Sequence, residues 1–350
     1  MRLSLLLSSV LLIACGNADA ISLRTKDNQL DNLKDINSKL EFTCVHEKLP
    51  TASTEADVLF QYARWLQKNN QLKQDKAVDV EIERLYRIAS ENNHYKANVN
   101  LQNGTMRGQF ELSGEEVLRL SQQLIDAKVA TGYYLIATYL ERGVAGLQQN
   151  PEMALRYYRK AADEGSAQAQ NYVAEKLAPI DVAPDIARQM RSCAAAQGHG
   201  DAAVALGINL STAKQYKAAI EAFQVGVAAG DEIAASFMNK GFRGPKPDNR
   251  MYYLGQDEDL ERAERYKLIS NILGDWSYAN PTVPEINDIV PLPPAKLPAW
   301  NGKLKWVEER KANVQPPKPT EALIEQLAKA KLLDPKTGKP LPESPLYEKD

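Results

Sequence analysis

A stretch of 28 residues near the middle of the chain restricts its possible folds more than any other. From Asn150 to Leu177 it reads NPEMALRYYRKAADEGSAQAQNYVAEKL, two helices and the turn between them. Pro151 suits a first helical turn, and Met153, Ala154, Tyr157 and Ala161 recur on one face at helical spacing. Gly165 ends the run, because a helix C-terminus favours a residue that takes positive φ. Ala167, Ala169, Tyr172 and Val173 then begin the second helix. One such pair cannot bury its own apolar face, so the unit should recur. Related turns follow Ala89, Asp126, Ala161, Cys193 and Val227, and Gly165, Gly198 and Gly230 are 33 and 32 residues apart. The spacing predicts an all-α array of about five helix pairs between Ser53 and Leu273.

The chain resembles the Sel-one-like repeat family of the tetratricopeptide class. That family's unit runs Leu-Gly-x-x-Tyr-x-x-Gly-x-Gly-Val, then Asp-x-x-Lys-Ala, then Lys-Ala-Ala-x-x-Gly. Leu135, Tyr139, Gly143, Gly146 and Leu147 match its first half, with one extra residue between Tyr139 and Gly143. Ala154, Tyr157, Lys160, Ala161, Ala162 and Gly165 match its second half. The match is good over 127–177 and weaker over 185–240. The resemblance implies a right-handed helical-repeat solenoid whose stacked pairs form an extended concave surface. Folds of this class carry many functions, so activity must be sought in a site.

Residues 1–14 read as a secretory signal, with Arg2 before a short apolar core. The core ends Leu12-Ile13-Ala14-Cys15, which looks like a bacterial lipoprotein box. That likeness implies cleavage before Cys15 and lipid on its thiol; an ordinary signal peptide with an incidental cysteine is the alternative. Gly16 follows, where an aspartate would favour retention at the inner membrane, so the periplasmic face of the outer membrane is the expected location. Residues 15–52 form the lipidated N-terminus and a tether, most polar over 17–40, unless an irregular helix occupies 28–39. With Cys15 lipidated, Cys44 and Cys193 remain in an oxidising compartment. They either form a disulfide or pack as small buried residues.

Within the solenoid, residues 53–273, Leu59, Tyr62, Ala63 and Leu66 mark one amphipathic helix and Ile82, Leu85, Tyr86 and Ala89 another. A third covers Lys96 to Gln102, with Asn103-Gly104 as its expected stop, and Ser113 with Glu116 makes a capping box. Residues 274–350 form a proline-rich extension. Asn280 to Trp300 holds six prolines among apolar residues, a composition that predicts an extended strap over the last helices. A helix is expected over 320–332, and a loose tail from Asp334.

The chain offers little for catalysis. Its three histidines, His46, His94 and His199, have no metal-ligand spacing, and neither a HExxH nor a GxSxG motif occurs. No metal or cofactor is expected. A formal net charge of −2, with no basic run interleaved with aromatics, gives no nucleic-acid signal. Tyr133, Tyr134, Tyr157 and Tyr158 are candidate contact residues if one of each pair faces outward. By resemblance, exported Sel-one-like proteins include immunity partners of secreted lipases. The implied function is therefore a protein-binding solenoid that neutralises a periplasm-acting effector of a type VI secretion system. An envelope scaffold is the alternative. A penicillin-binding or β-lactamase-like role would call for a cysteine pair in each repeat, a pattern missing from this sequence.

Overall fold

The computed structural model of the protein describes residues 40–179 and 182–347. The chain divides into two units at Phe42 and Thr43, and the fold below is that of the second. The expected signal peptide, Cys15 and positions 16–39 of the tether lie outside the described residues.

Six helix pairs make up the array, one more than the sequence pattern suggests. They are α1 (Thr54–Asn70) with α2 (Lys76–Glu91), α3 (Tyr95–Met106) with α4 (Gly114–Asp126), and α5 (Thr131–Arg142) with α6 (Pro151–Asp163). Then come α7 (Ala167–Leu177) with α8 (Pro184–Ala196), α9 (Gly200–Thr212) with α10 (Tyr216–Ala228), and α11 (Glu232–Gly241) with α12 (Leu260–Asp275). Helix α3 runs straight through Asn103-Gly104. Gly104 is buried under the Phe110 ring, which a Cβ at that position would overlap, so this glycine serves a close approach rather than a turn. Ser53, Asp75, Ser113, Asn150, Ser166, Asp231 and Asp259 cap helix N-termini by accepting backbone N–H bonds. His94 and His199 do the same for α3 and α9.

The middle of the array packs through small residues, with Ala194, Ala195, Ala202 and Ala203 forming one contact cluster. On α6 the buried face is Ala154, Tyr158, Ala161 and Ala162, whereas Met153 is exposed and Tyr157 half-buried. The inward tyrosine is thus Tyr158, four residues after Ala154 and at the centre of the stripe.

The C-terminal extension covers both ends of the array. Val283, Ile286 and Val290 bury against Phe223, Val227, Tyr266 and Ile269 of the last two pairs. Arg262 on α12 donates to the Pro291 carbonyl at 3.2 Å and the Ala295 carbonyl at 2.7 Å. After α13 (Ile286–Ile289) and α14 (Lys305–Ala312) the chain reaches the first pair. There Ile324, Leu327 and Ala328 of α15 (Glu321–Lys329), with Leu333, join Leu59, Ile82, Leu85 and Ile88 in one core. Residues 334–347 are not a loose tail. The Leu341 N–H donates to the Leu332 carbonyl at 2.8 Å, and Arg84 of α2 donates to the Pro335 carbonyl at 2.6 Å. Buried Leu333 anchors this turn in the core of the first helix pair, a long-range contact that composition does not report.

Candidate partner-binding cleft

Two terminal segments lie on the turn glycines of the repeats. Gly165 has φ 110°, and a Cβ there would come within 2.7 Å of the Glu47 nitrogen; at Gly230, φ 90°, it would overlap the Pro281 carbonyl. Gly143, Gly146 and Gly198 also have positive φ, at the turns where the pattern places them. On the N-terminal side the Glu47 N–H donates to the Gly165 carbonyl at 3.2 Å, and Gln170 donates to the Val45 carbonyl at 2.9 Å. Thr131 donates its hydroxyl to the Glu47 carboxylate at 2.9 Å. Cys44 and Cys193 are joined by a disulfide with their Cα atoms 5.6 Å apart. Residues 43–48, expected within the tether, are therefore fixed along the array. His46 places a ring nitrogen within 4.8 Å of both sulfurs, but the disulfide removes the two thiolates such a trio would need to hold a metal.

The tyrosines expected as contacts are turned toward one another. Tyr133 and Tyr157 have ring centroids 6.2 Å apart, Tyr134 and Tyr158 5.6 Å, and Tyr158 and Tyr172 3.9 Å. Tyr158 donates to the Glu141 carboxylate at 2.8 Å, and Tyr172 donates to the same group. Burial, followed by the bond to Glu141, pushes the Tyr172 phenol above its ordinary range. Tyr139 is a core residue whose hydroxyl donates to Gln102 at 2.9 Å.

A cleft lies instead between the first helices of repeats one and two and the returning extension. It encloses about 1110 Å³. Gln61, Arg64, Trp65, Lys68 and Gln71 line it from α1 and its C-cap, at the helical spacing that keeps Leu59, Phe60 and Ala63 in the core. Asn100, Asn103 and Arg107 line it from α3 and its C-cap. The opposite wall comes from Tyr278 to Asn280, Trp306, Glu309, Arg310, Val314 and Pro316. Its walls are locked together by amides. Asn69 and Asn313 exchange side-chain bonds at 3.1 and 2.7 Å, Arg310 donates to the Lys68 carbonyl at 3.0 Å, and Gln71 donates to the Tyr278 carbonyl. Beneath, Tyr86 donates to Gln67 at 3.0 Å, Gln67 to Gln109 at 3.0 Å, and Gln109 to Asp79 at 2.8 Å. Burial raises the Tyr86 phenol to about 12, so it stays a neutral donor. A network satisfied in this way holds the cleft rigid before anything binds.

The cleft was not legible in any single motif, since its α1 wall and the extension lie more than two hundred residues apart in sequence. The one available signal was a second polar stripe on α1, opposite its apolar face.

A family model described as a domain of unknown function, DUF6396, matches residues 234–341. Those residues are the last helix pair and the extension that closes the array. No curated protein matches the sequence. Three solved structures from Pseudomonas aeruginosa are similar over most of their length. The protein PA5086 is 28% identical, with 72% of this chain and 95% of that one covered and a TM-score of 0.54. The immunity protein PA5088 is 25% identical, covering 72% and 94%, with a TM-score of 0.56. The immunity protein Pa5087 is 26% identical, covering 73% and 95%, with a TM-score of 0.55. The chain is similar in sequence and fold to immunity proteins. The shared architecture is the all-helical repeat array expected from the turn glycines.

Proposed function

We propose that the protein is an immunity protein that protects its cell by binding an antibacterial effector. One observation carries this reading: the likeness to PA5088 and Pa5087 runs through 94% and 95% of those immunity proteins, so it reaches well beyond a single repeat. The rigid cleft between the first repeats and the extension supports it, because a preformed surface limits the entropy lost on association. The finer terms rest on the N-terminal sequence and on the resemblance to exported Sel-one-like proteins. The effector is a lipase delivered into the periplasm by a type VI secretion system. The protein awaits it there, anchored through lipid on Cys15 at the periplasmic face of the outer membrane. A bilayer-attached inhibitor meets a lipase where the lipase must work.

The test is to express the lipase effector encoded beside this gene in the periplasm, with and without the protein. We expect survival only with it, and a complex of the purified pair. Equal death in both cases and no complex would remove the reading, and capture of several resident envelope proteins instead would favour a scaffold. Lipidation is checked separately. Palmitate label should enter the wild type and not Cys15→Ser, and equal labelling would contradict the anchor.

A further inference from the structure

Charge inside the cleft is unbalanced. Its two carboxylates already have partners: Asp79 accepts from Asn70 and Gln109 and faces Lys76 at 3.7 Å, and Glu309 faces Lys305 at 3.8 Å. Four cations on the walls, Arg64, Lys68, Arg107 and Arg310, form no ion pair among the described residues. Arg64 donates to the neutral amide of Gln67 at 3.1 Å. Arg310 donates to the Lys68 backbone carbonyl at 3.0 Å, which sets two cationic side chains next to each other. Burial first, then the Arg310 charge, with Arg64 adding to it, push the Lys68 ammonium below its ordinary range against the opposing pull of the Glu309 carboxylate. The chain as a whole has a formal charge of −2, so this concentration is local.

The same walls carry apolar surface. Val314 is 81% exposed, the highest value among the large apolar side chains of the described residues, and Trp306 is half-buried on the same wall. A cleft lined by both arginine and tryptophan has the composition of a protein contact centre, and a small inorganic anion would leave the apolar part unused.

We propose that the cleft is the docking site for a projecting acidic segment of the partner protein. Its carboxylates seat among Arg64, Lys68, Arg107 and Arg310, and a neighbouring apolar side chain covers Trp306 and Val314. The inference rests on the immunity reading for the partner's identity; the chemistry of the site stands on the cleft. Complementary charge of this kind speeds encounter and selects against basic partners.

The experiment uses full-length protein without its signal peptide and a labelled peptide of six glutamates ending in tryptophan. We expect saturable binding that weakens as salt rises, and a loss of about tenfold or more in Arg64→Glu/Arg107→Glu, both exposed positions where folding tolerates the change. Arg64→Lys/Arg107→Lys should retain most of the affinity. The same charge reversal should weaken the complex with the lipase effector. Equal peptide affinity in wild type and charge reversal, or an effector complex indifferent to it, would overturn the proposal. Inorganic phosphate competing better than the peptide would also overturn it, in favour of a small-anion site. If the effector binds neither form, the immunity reading fails, and the peptide result alone decides the cleft.

Discussion

Two helix surfaces in this molecule carry similar residues at the same spacing and use them in opposite ways. On α6, Glu152 pairs with Arg156 at 2.6 Å, Arg159 with Asp163 at 2.9 Å, and Lys160 with Glu164 at 2.6 Å, each four residues apart. On α1, Arg64 and Lys68 are also four residues apart, but both are positive. Opposite charges at this spacing stabilise a helix by about 0.2–0.5 kcal/mol, and like charges cost a similar amount. The α6 surface is therefore electrostatically complete, whereas the α1 surface carries charge that folding leaves unanswered. Structure alone explains the first. The second acquires a reason only when an anion arrives from outside.

The comparison breaks most completely if the cleft loses its far wall. Ile324 on α15 is buried in the core that joins the extension to the first helix pair. Ile324→Asp should destabilise the protein by about 4 kcal/mol or more in urea unfolding, through a buried unpaired charge. It should also release the extension and lower the affinity for the acidic peptide, while the α6 pairs stay as they are. Glu325→Ala, its exposed neighbour on α15, should change stability by no more than about 0.5 kcal/mol.

The next effect sharpens the contrast by weakening the array while leaving the cleft's charge alone. Cys44→Ser/Cys193→Ser opens a link spanning 149 positions and should cost about 2–5 kcal/mol in the same measurement. Peptide affinity should stay within about twofold, since the disulfide lies away from the cleft walls.

The parts that could be read from the chain and the parts that could not differ in range. Gly165, Gly198 and Gly230 announce the repeat because a turn's φ requirement is satisfied by one residue. Prolines 281 to 298 announce a strap because composition is also local. The closure of the array depends on Leu327 and Leu333 meeting Ile82 and Leu85, which no local pattern reports. For the same reason the local pattern makes residues 334–347 loose and stops α3 at Asn103-Gly104, whereas Phe110 covers Gly104 and the helix continues. The tyrosines of α5 and α6 show the limit on the functional side. On α6 the outward member, Tyr157, is half-buried with its ring centroid 6.2 Å from that of Tyr133, while Glu141 accepts from the inward Tyr158.

A smaller effect depends on pH. The His94 and His199 side chains accept the Ala97 and Ala202 N–H groups at 3.1 and 3.3 Å, which requires an unprotonated Nδ1. Burial lowers both imidazoles below the ordinary value of 6.5, and for His94 it outweighs the Asp57 carboxylate at Nε2. The unfolded chain therefore binds these protons more readily than the folded one. Their stabilising contribution is complete above pH 6.5 and is lost as pH falls below it, by about 1 kcal/mol for each cap. Thermal melts of His94→Asn/His199→Asn should show less of this acid sensitivity, because asparagine caps without titrating. An unchanged pH profile would contradict the assignment. Smallest of all, Arg156→Ala on α6 should cost no more than about 0.5 kcal/mol and leave peptide affinity unaltered.

Amide hydrogen exchange of the protein alone and in complex with the proposed effector tests most directly whether the cleft, rather than another surface of the array, receives the partner. We expect slowed exchange in α1 over 61–71, at the end of α3 near Arg107, and in α14 through Val314, with α6 unchanged. Slowed exchange confined to α6 and its neighbours, with α1, α3 and α14 unaffected, would contradict the assignment of the cleft.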